Sequence, residues 1–291
     1  MINQTTALAK LTVAATWSQA PISCDTTSSN ASAAQINFRF NDTTGLIPLF
    51  ALNENGYKTI INLSSLSFLK NDELSEPHLD FDELLNKNEG VALFSGTING
   101  LFGQLFNKGK FAEINEIFLR LKESYGDRFY IEIQRHGDLN EKDFEKFNLI
   151  ISKKLDIPLI ATNEVFYLNK DMHEAHDALI CIKNKTYVNE KNRIRFSNQH
   201  YLKSNSEMVN LFIDLPEALE NNNNFPFRCN FRPLSSKPIL PNISSDKGIS
   251  ADEILKKDSL DGLNEKFIKI FNLNDKDFSS DKNYLKYKDR L

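Results

Sequence analysis

Apolar runs and segments of helical period alternate along most of the chain. Residues 46–52 (LIPLFAL) contain no charge and read as a buried strand. Turn residues Asn53-Glu54-Asn55-Gly56 follow. Ile60, Ile61, Leu63, Leu66 and Leu69 then recur with the period of a helix. After an acidic loop over 71–80 and a short helix over 81–85, residues 90–95 (GVALFS) read as a second buried strand, closed by Gly96. Residues 111–121 form an amphipathic helical pattern. Residues 128–134 (RFYIEIQ) alternate Phe129, Ile131 and Ile133 with Tyr130, Glu132 and Gln134, which predicts a strand with one apolar and one polar face. A helix over 139–155 places Phe144, Phe147, Leu149 and Ile150 toward the core. The strand–helix alternation recurs about every 30–35 residues, as in βα units on a parallel sheet.

The most informative stretch is 156–182. Ile157, Leu159 and Ile160 lead into Thr162-Asn163-Glu164, then Phe166-Tyr167, then a helical segment. In β/α barrels chemistry sits at the C-terminal ends of the strands, which is where Thr162, Asn163 and Glu164 fall. Beyond residue 182 the pattern changes. Residues 183–204 are polar, two short helices are expected over 205–212 and 215–220, Asn221–Asn224 is a low-complexity polar tract, 233–248 is a proline-bearing connector, and 251–271 is a final helix weakened by Gly262. Residues 1–35 differ in kind: Ser, Thr and Ala dominate, with one basic residue, one acidic residue and the single tryptophan. They are expected to be a flexible tail or sequence foreign to the fold. If they supply no first strands, the sheet keeps an open edge that invites aggregation.

Composition narrows the function classes. The net charge of −4 gives no overall basic character for coating nucleic acid. Three cysteines without C-x-x-C spacing indicate neither a disulfide framework nor a zinc ribbon, so a reducing compartment, the cytoplasm, is the expected location. No apolar run is long enough to span a membrane.

Candidate chemistry is sparse. His173 and His176 lie one helical turn apart and could share a cation, but an ordinary half-exposed pair is the favoured reading. His136, beside Gly137, could line a barrel mouth, although a lone histidine is more often structural. His78 and His200 sit in polar loops and suggest nothing. Glu132 and Glu164 could together bind a divalent ion or act as an acid–base pair; solvated or lysine-paired carboxylates are favoured. Cys181 reads as core. Gly96, Gly100 and Gly103 have a phosphate-loop composition without the Lys-Ser/Thr such a loop needs.

Several segments jointly resemble one family: LFALNENGYKTIINLSS (49–65), GVALFSG (90–96), RFYIEIQRHG (128–137), IPLIATNEVFYL (157–168), AHDALICI (175–182), FSNQHYLKS (196–204), DLPEALENN (214–222) and SLDGL (259–263). This set is similar to the PHP (polymerase and histidinol phosphatase) domain of bacterial replicative DNA polymerase III alpha subunits. The resemblance implies a distorted, TIM-like β/α barrel over 36–232, incomplete at its start, and then a linker and helix over 233–291 leading toward a palm domain. It implies further that metal positions of the family fall on Leu46, Thr97, Glu164 and Phe166. Leucine and phenylalanine cannot ligate a metal and Thr97 lacks a thiolate. No metal, cofactor or catalytic residue is therefore expected in this chain. On the same resemblance the parent is a DNA-directed DNA polymerase using magnesium, with its palm aspartates downstream and its DNA contacts in other domains. The domain itself would be structural, docking a proofreading exonuclease subunit and other replicase subunits. The alternative is a metal-dependent PHP phosphoesterase, which needs an intact ligand cluster.

Overall fold

The structure, a computed structural model, describes residues 33–72, 75–233, 250–271 and 280–290. Expectations for residues 1–32 and for the connector over 234–249 lie outside these. The chain divides into two compact units, Met1–Ser235 and Ser236–Leu291.

The first unit is built on a six-stranded sheet of order β3-β1-β2-β4-β5-β6. Its strands are β1 (Ala33–Phe40), β2 (Thr43–Ala51), β3 (Leu79–Asp80), β4 (Val91–Phe94), β5 (Phe129–Ile133) and β6 (Leu159–Ala161). The helices between them are α1 (Glu54–Leu69), α2 (Phe81–Asn86), α3 (Leu101–Asn107), α4 (Phe111–Tyr125) and α5 (Glu141–Leu155). After β6 come α6 (His173–Asn184), α7 (Asn205–Leu211) and α8 (Pro216–Asn224). This mixed α/β architecture is that of a distorted barrel with surrounding helices.

The repeat pattern predicts a parallel sheet, but the sheet is mixed. β1 and β2 pair antiparallel along their whole length, from Ala33↔Phe50 to Phe40↔Thr43, and β2 pairs antiparallel with β4. Only Asn41 and Asp42 separate β1 from β2, and Asn41 turns the chain at φ 52°. So short a link allows a hairpin and no crossover. β1 itself begins at Ala33, within the segment expected to be foreign to the fold. From β4 onward the expected βα logic holds, and β4, β5 and β6 pair parallel.

Both faces of the central strands are buried. Leu49, Leu93, Phe129, Ile131 and Ile133 belong to the larger core, with Leu63, Ile117 and Phe118 from the helices. Their strand neighbours Phe50, Phe94, Tyr130 and Ile160 form a second core with Phe225 and Cys229. The polar face read for β5 is therefore interior: all five of its residues are buried, Glu132 among them. Cys181 is buried as expected.

Close backbone approach explains two glycine sites. Asn53 caps α1 by accepting from the Gly56 amide (2.9 Å), and a Cβ on Gly56 would lie 1.9 Å from the Gly90 carbonyl oxygen. A Cβ on Gly103 would lie 2.0 Å from the Ile98 carbonyl oxygen. The glycines of 96–103 thus allow α3, a helix the sequence reading lacked, to pack tightly.

The asparagine tract, read as low-complexity, completes α8 and covers the β6 edge. Asn221 Nδ2 donates to the Leu159 carbonyl (2.8 Å), and Asn222 Nδ2 donates to that of Ala161. Side-chain amides thus take over the pairing that a further strand would provide. In the second unit, α9 (Ala251–Phe271) and α10 (Lys282–Lys288) meet through Phe267 and Tyr284, whose hydroxyl donates to Asn264 (2.7 Å).

Position within the tract decides its energetics. Asn222→Ala should lower stability by about 1–2 kcal/mol through the lost buried bond. The exposed Asn223→Ala should be neutral or gain a few tenths of a kcal/mol from helix propensity. Urea unfolding of the two variants measures the contrast.

Candidate functional site

Parallel pairing brings the ends of β4, β5 and β6 to one edge of the sheet. The Thr162 amide donates to the Ile133 carbonyl (3.0 Å), which sets Thr162 beside Gln134. Gln134 Nε2 then donates to Thr162 Oγ1 (2.9 Å) and to Glu132 Oε1 (2.9 Å), and the Thr162 hydroxyl also donates to Glu132 Oε1. Past Gln134 the chain turns at Gly137 (φ 76°). Glu141, opening α5, holds that turn by accepting from the amides of His136 (2.8 Å to Oε2) and Gly137 (2.6 Å). Arg135 points away and clamps Glu145 and Asp214 (2.8 Å).

Thr97, Glu132, Gln134, Asn163 and Glu164 line a small cavity whose other walls include Phe50, Phe94 and Phe225. Glu132 is buried and Glu164 half-buried, and no lysine bonds to either among the described residues, contrary to the favoured reading. Burial pushes the Glu132 carboxyl up, opposed by its bonds from Thr162 and Gln134. Its Oε2 has no hydrogen-bond partner. Glu164 is pushed up to about 8, by burial first and then by the charges of Glu132, Asp138 and Glu141. The pair therefore carries at least one proton near neutrality.

His200, from a loop that suggested nothing by sequence, is completely buried beside this pair. The Phe166 amide donates to the His200 carbonyl (2.9 Å) and the Leu202 amide to that of Tyr167 (3.0 Å), so the loop runs alongside the segment following β6. His200 Nδ1 lies 3.2 Å from the Glu164 carbonyl oxygen and Nε2 lies 3.2 Å from Asp138 Oδ2. Burial acts against the Asp138 charge, but the His200 bond and the adjacent histidine charges keep its carboxyl below the usual range. The His200 ring stacks on His136, with centroids 4.1 Å apart and planes at 5°. Phe166 stacks on the other side of His200 (4.8 Å), and His176 stacks beyond Phe166 (5.1 Å). Burial pulls both His136 and His176 down, toward their neutral forms. Lys203, pushed down to about 8 by burial, donates to Asn163 Oδ1 (3.0 Å).

His136, Asp138 and His200 offer ligand atoms within 4.8 Å of one another. The two rings are nearly parallel, so their in-plane lone pairs do not converge on one point, and an ion would require one ring to turn. His173 does not join this group; its Nε2 meets the Phe196 carbonyl (3.0 Å). Of the four residues on which the resemblance implies metal positions, Thr97 and Glu164 face the cavity, Phe166 sits within the ring stack and Leu46 is a half-buried residue of β2. His200 and Asp138 were missed because their partners lie 36 and 62 residues away in the chain.

The family model "PHP domain" matches residues 27–136. Over those residues the chain is similar to the PHP domain. It is also similar to DNA polymerase III subunit alpha of Rickettsia bellii, with 41% identity over 75% of this chain and 18% of that protein. The corresponding subunit of Caulobacter vibrioides is 36% identical over 74% of this chain and 19% of the relative. That of Pseudomonas aeruginosa is 31% identical over 76% and 19%. The chain thus spans about a fifth of the length of these relatives. Among its described residues, no helix is long and apolar enough to cross a membrane.

The site electrostatics predict a pH signature. Because the folded protein holds the Glu164 proton up to about 8, this group's contribution to stability is fully present below its unfolded value near 4.5 and is lost as pH rises through 8. Glu164→Gln removes that loss. Relative to the parent chain, the variant should be unchanged at pH 5 and more stable by about 1–3 kcal/mol at pH 9, measured by denaturant unfolding.

Proposed function

We propose that this chain is the PHP portion of a replicative DNA polymerase III alpha subunit and serves it as a structural, protein-binding domain. Nucleotide addition, with its magnesium and its DNA contacts, would reside in the rest of such a subunit. The observation that carries the reading is the state of the family's metal positions. Leu46 and Phe166 have no donor atom, and Phe166 is built into a stack of rings between His176 and His200. A site filled by packed aromatic rings suits a domain kept for its shape. We propose the proofreading exonuclease subunit as the partner it docks, within a cytoplasmic replicase.

The His136–Asp138–His200 group favours a second reading, a PHP phosphoesterase with rearranged ligands. The two readings separate in one preparation. The first expects a stoichiometric complex with the purified exonuclease subunit by gel filtration, no primer extension, and no hydrolysis of p-nitrophenyl phosphate with Mn²⁺. Manganese-dependent hydrolysis abolished by His200→Gln would replace it with the second, and failure to bind the exonuclease would remove the docking role.

A further inference from the structure

Helix α6 is held firmly from behind and presents an apolar face in front. Its inner residues Asp177 and Cys181 are buried, and Arg193 from the following loop donates to Asp177 Oδ2 (2.6 Å). The helix closes at Lys185 (φ 52°), whose amide donates to the Cys181 and Ile182 carbonyls. On the outer side lie Met172, from the 3-10 turn Lys170–Met172 that leads into α6, and Ala175, Leu179 and Ile182. All four are exposed, Leu179 by 62% and Ile182 by 74%. Their alternating short and long spacing draws one apolar stripe along the helix, the pattern of a helix that packs against another. A line of exposed apolar side chains on a fixed helix marks a contact face.

The stripe is its own complement. A twofold axis at the level of Asp177 sets Met172 of one copy against Ile182 of the other and Ala175 against Leu179, so that small side chains meet large ones. The charges choose the same antiparallel orientation. Asp171 and Lys185 are exposed and lie on one flank of the stripe, at its opposite ends. Antiparallel pairing brings Asp171 of each copy to Lys185 of the other, twice by symmetry, whereas parallel pairing leaves the two charges at opposite ends. We propose that α6 is a self-association surface on which a second copy of this chain docks, helix against antiparallel helix.

The ion pairs cannot form within one chain, because about 20 Å of helix separates the two residues. Ala175, the smallest residue of the stripe, lets the two helices approach closely. The contact is small, one face of a helix of 12 residues, so the dimer dissociates in the micromolar range. It uses no residue of the strand-end site, and it neither requires nor excludes the exonuclease as a partner elsewhere on the domain.

Sedimentation velocity of the whole chain across the micromolar range tests this. A reversible, concentration-dependent shift from one chain to two is expected. Leu179→Glu sets a carboxylate against the apolar stripe of the second copy and should weaken association by about tenfold or more. Asp171→Lys and Lys185→Asp should each weaken it about fivefold, most at low salt, and the two combined should restore it, because the reversed pair is again of opposite sign. These positions are exposed, and circular dichroism with urea unfolding checks that each variant folds. A single chain at every concentration, association untouched by Leu179→Glu, or a combined variant no better than the single ones would each overturn the proposal. A chain that stays single while Leu179→Glu abolishes binding of the exonuclease subunit would assign the face to that partner and refute self-association. Because the exonuclease is absent from the sedimentation run, failure there leaves the docking role standing.

Discussion

The parallel register of β4, β5 and β6 is the constraint from which the site follows. It brings Thr97, Gln134 and Thr162 to one edge and, by the alternation of the strand, turns Glu132 inward with Tyr130. A carboxyl placed there loses its water and must recover hydrogen bonds from its neighbours. Gln134 and Thr162 supply two of them at Oε1, and Oε2 remains without one. Glu164 enters the same low-dielectric space two residues later, and the pair meets its electrostatic cost by keeping a proton.

The surroundings consolidate that arrangement. Glu141 fixes the turn after β5, Asp138 engages His200, and His200 is stacked between His136 and Phe166. Phe166 is part of that arrangement. It extends the column of stacked rings from His200 to His176. The loop bearing His200 is held to Phe166 and Tyr167 by backbone bonds, so the column and the loop are mutually dependent.

Much of this fold was legible because its strands are short apolar runs and its helices strongly periodic. The strand over 46–52, the helix from residue 57, and the placing of Thr162 to Glu164 at a strand end all emerge from local pattern. What local pattern cannot carry is partner identity. β1 is written in unremarkable residues and becomes a strand because β2 pairs with it. Glu132 reads as solvent-facing until a second core covers its face. Asn221 and Asn222 read as filler until β6 presents its carbonyls, and His200 reads as a loop residue until Glu164 and Asp138 close over it. Each of these depends on contacts distant in the chain, and periodicity has no access to them.

A ¹³C NMR titration of the Glu164 side-chain carboxyl reads the central claim most directly, since it reports the proton itself. A proton-holding pair of a buried and a half-buried carboxyl predicts a midpoint near 8 and a protonated Glu164 at pH 7. A midpoint near the ordinary 4.5 would mean that water or a fixed cation reaches the carboxyl, and the account of the strand-end site would fail.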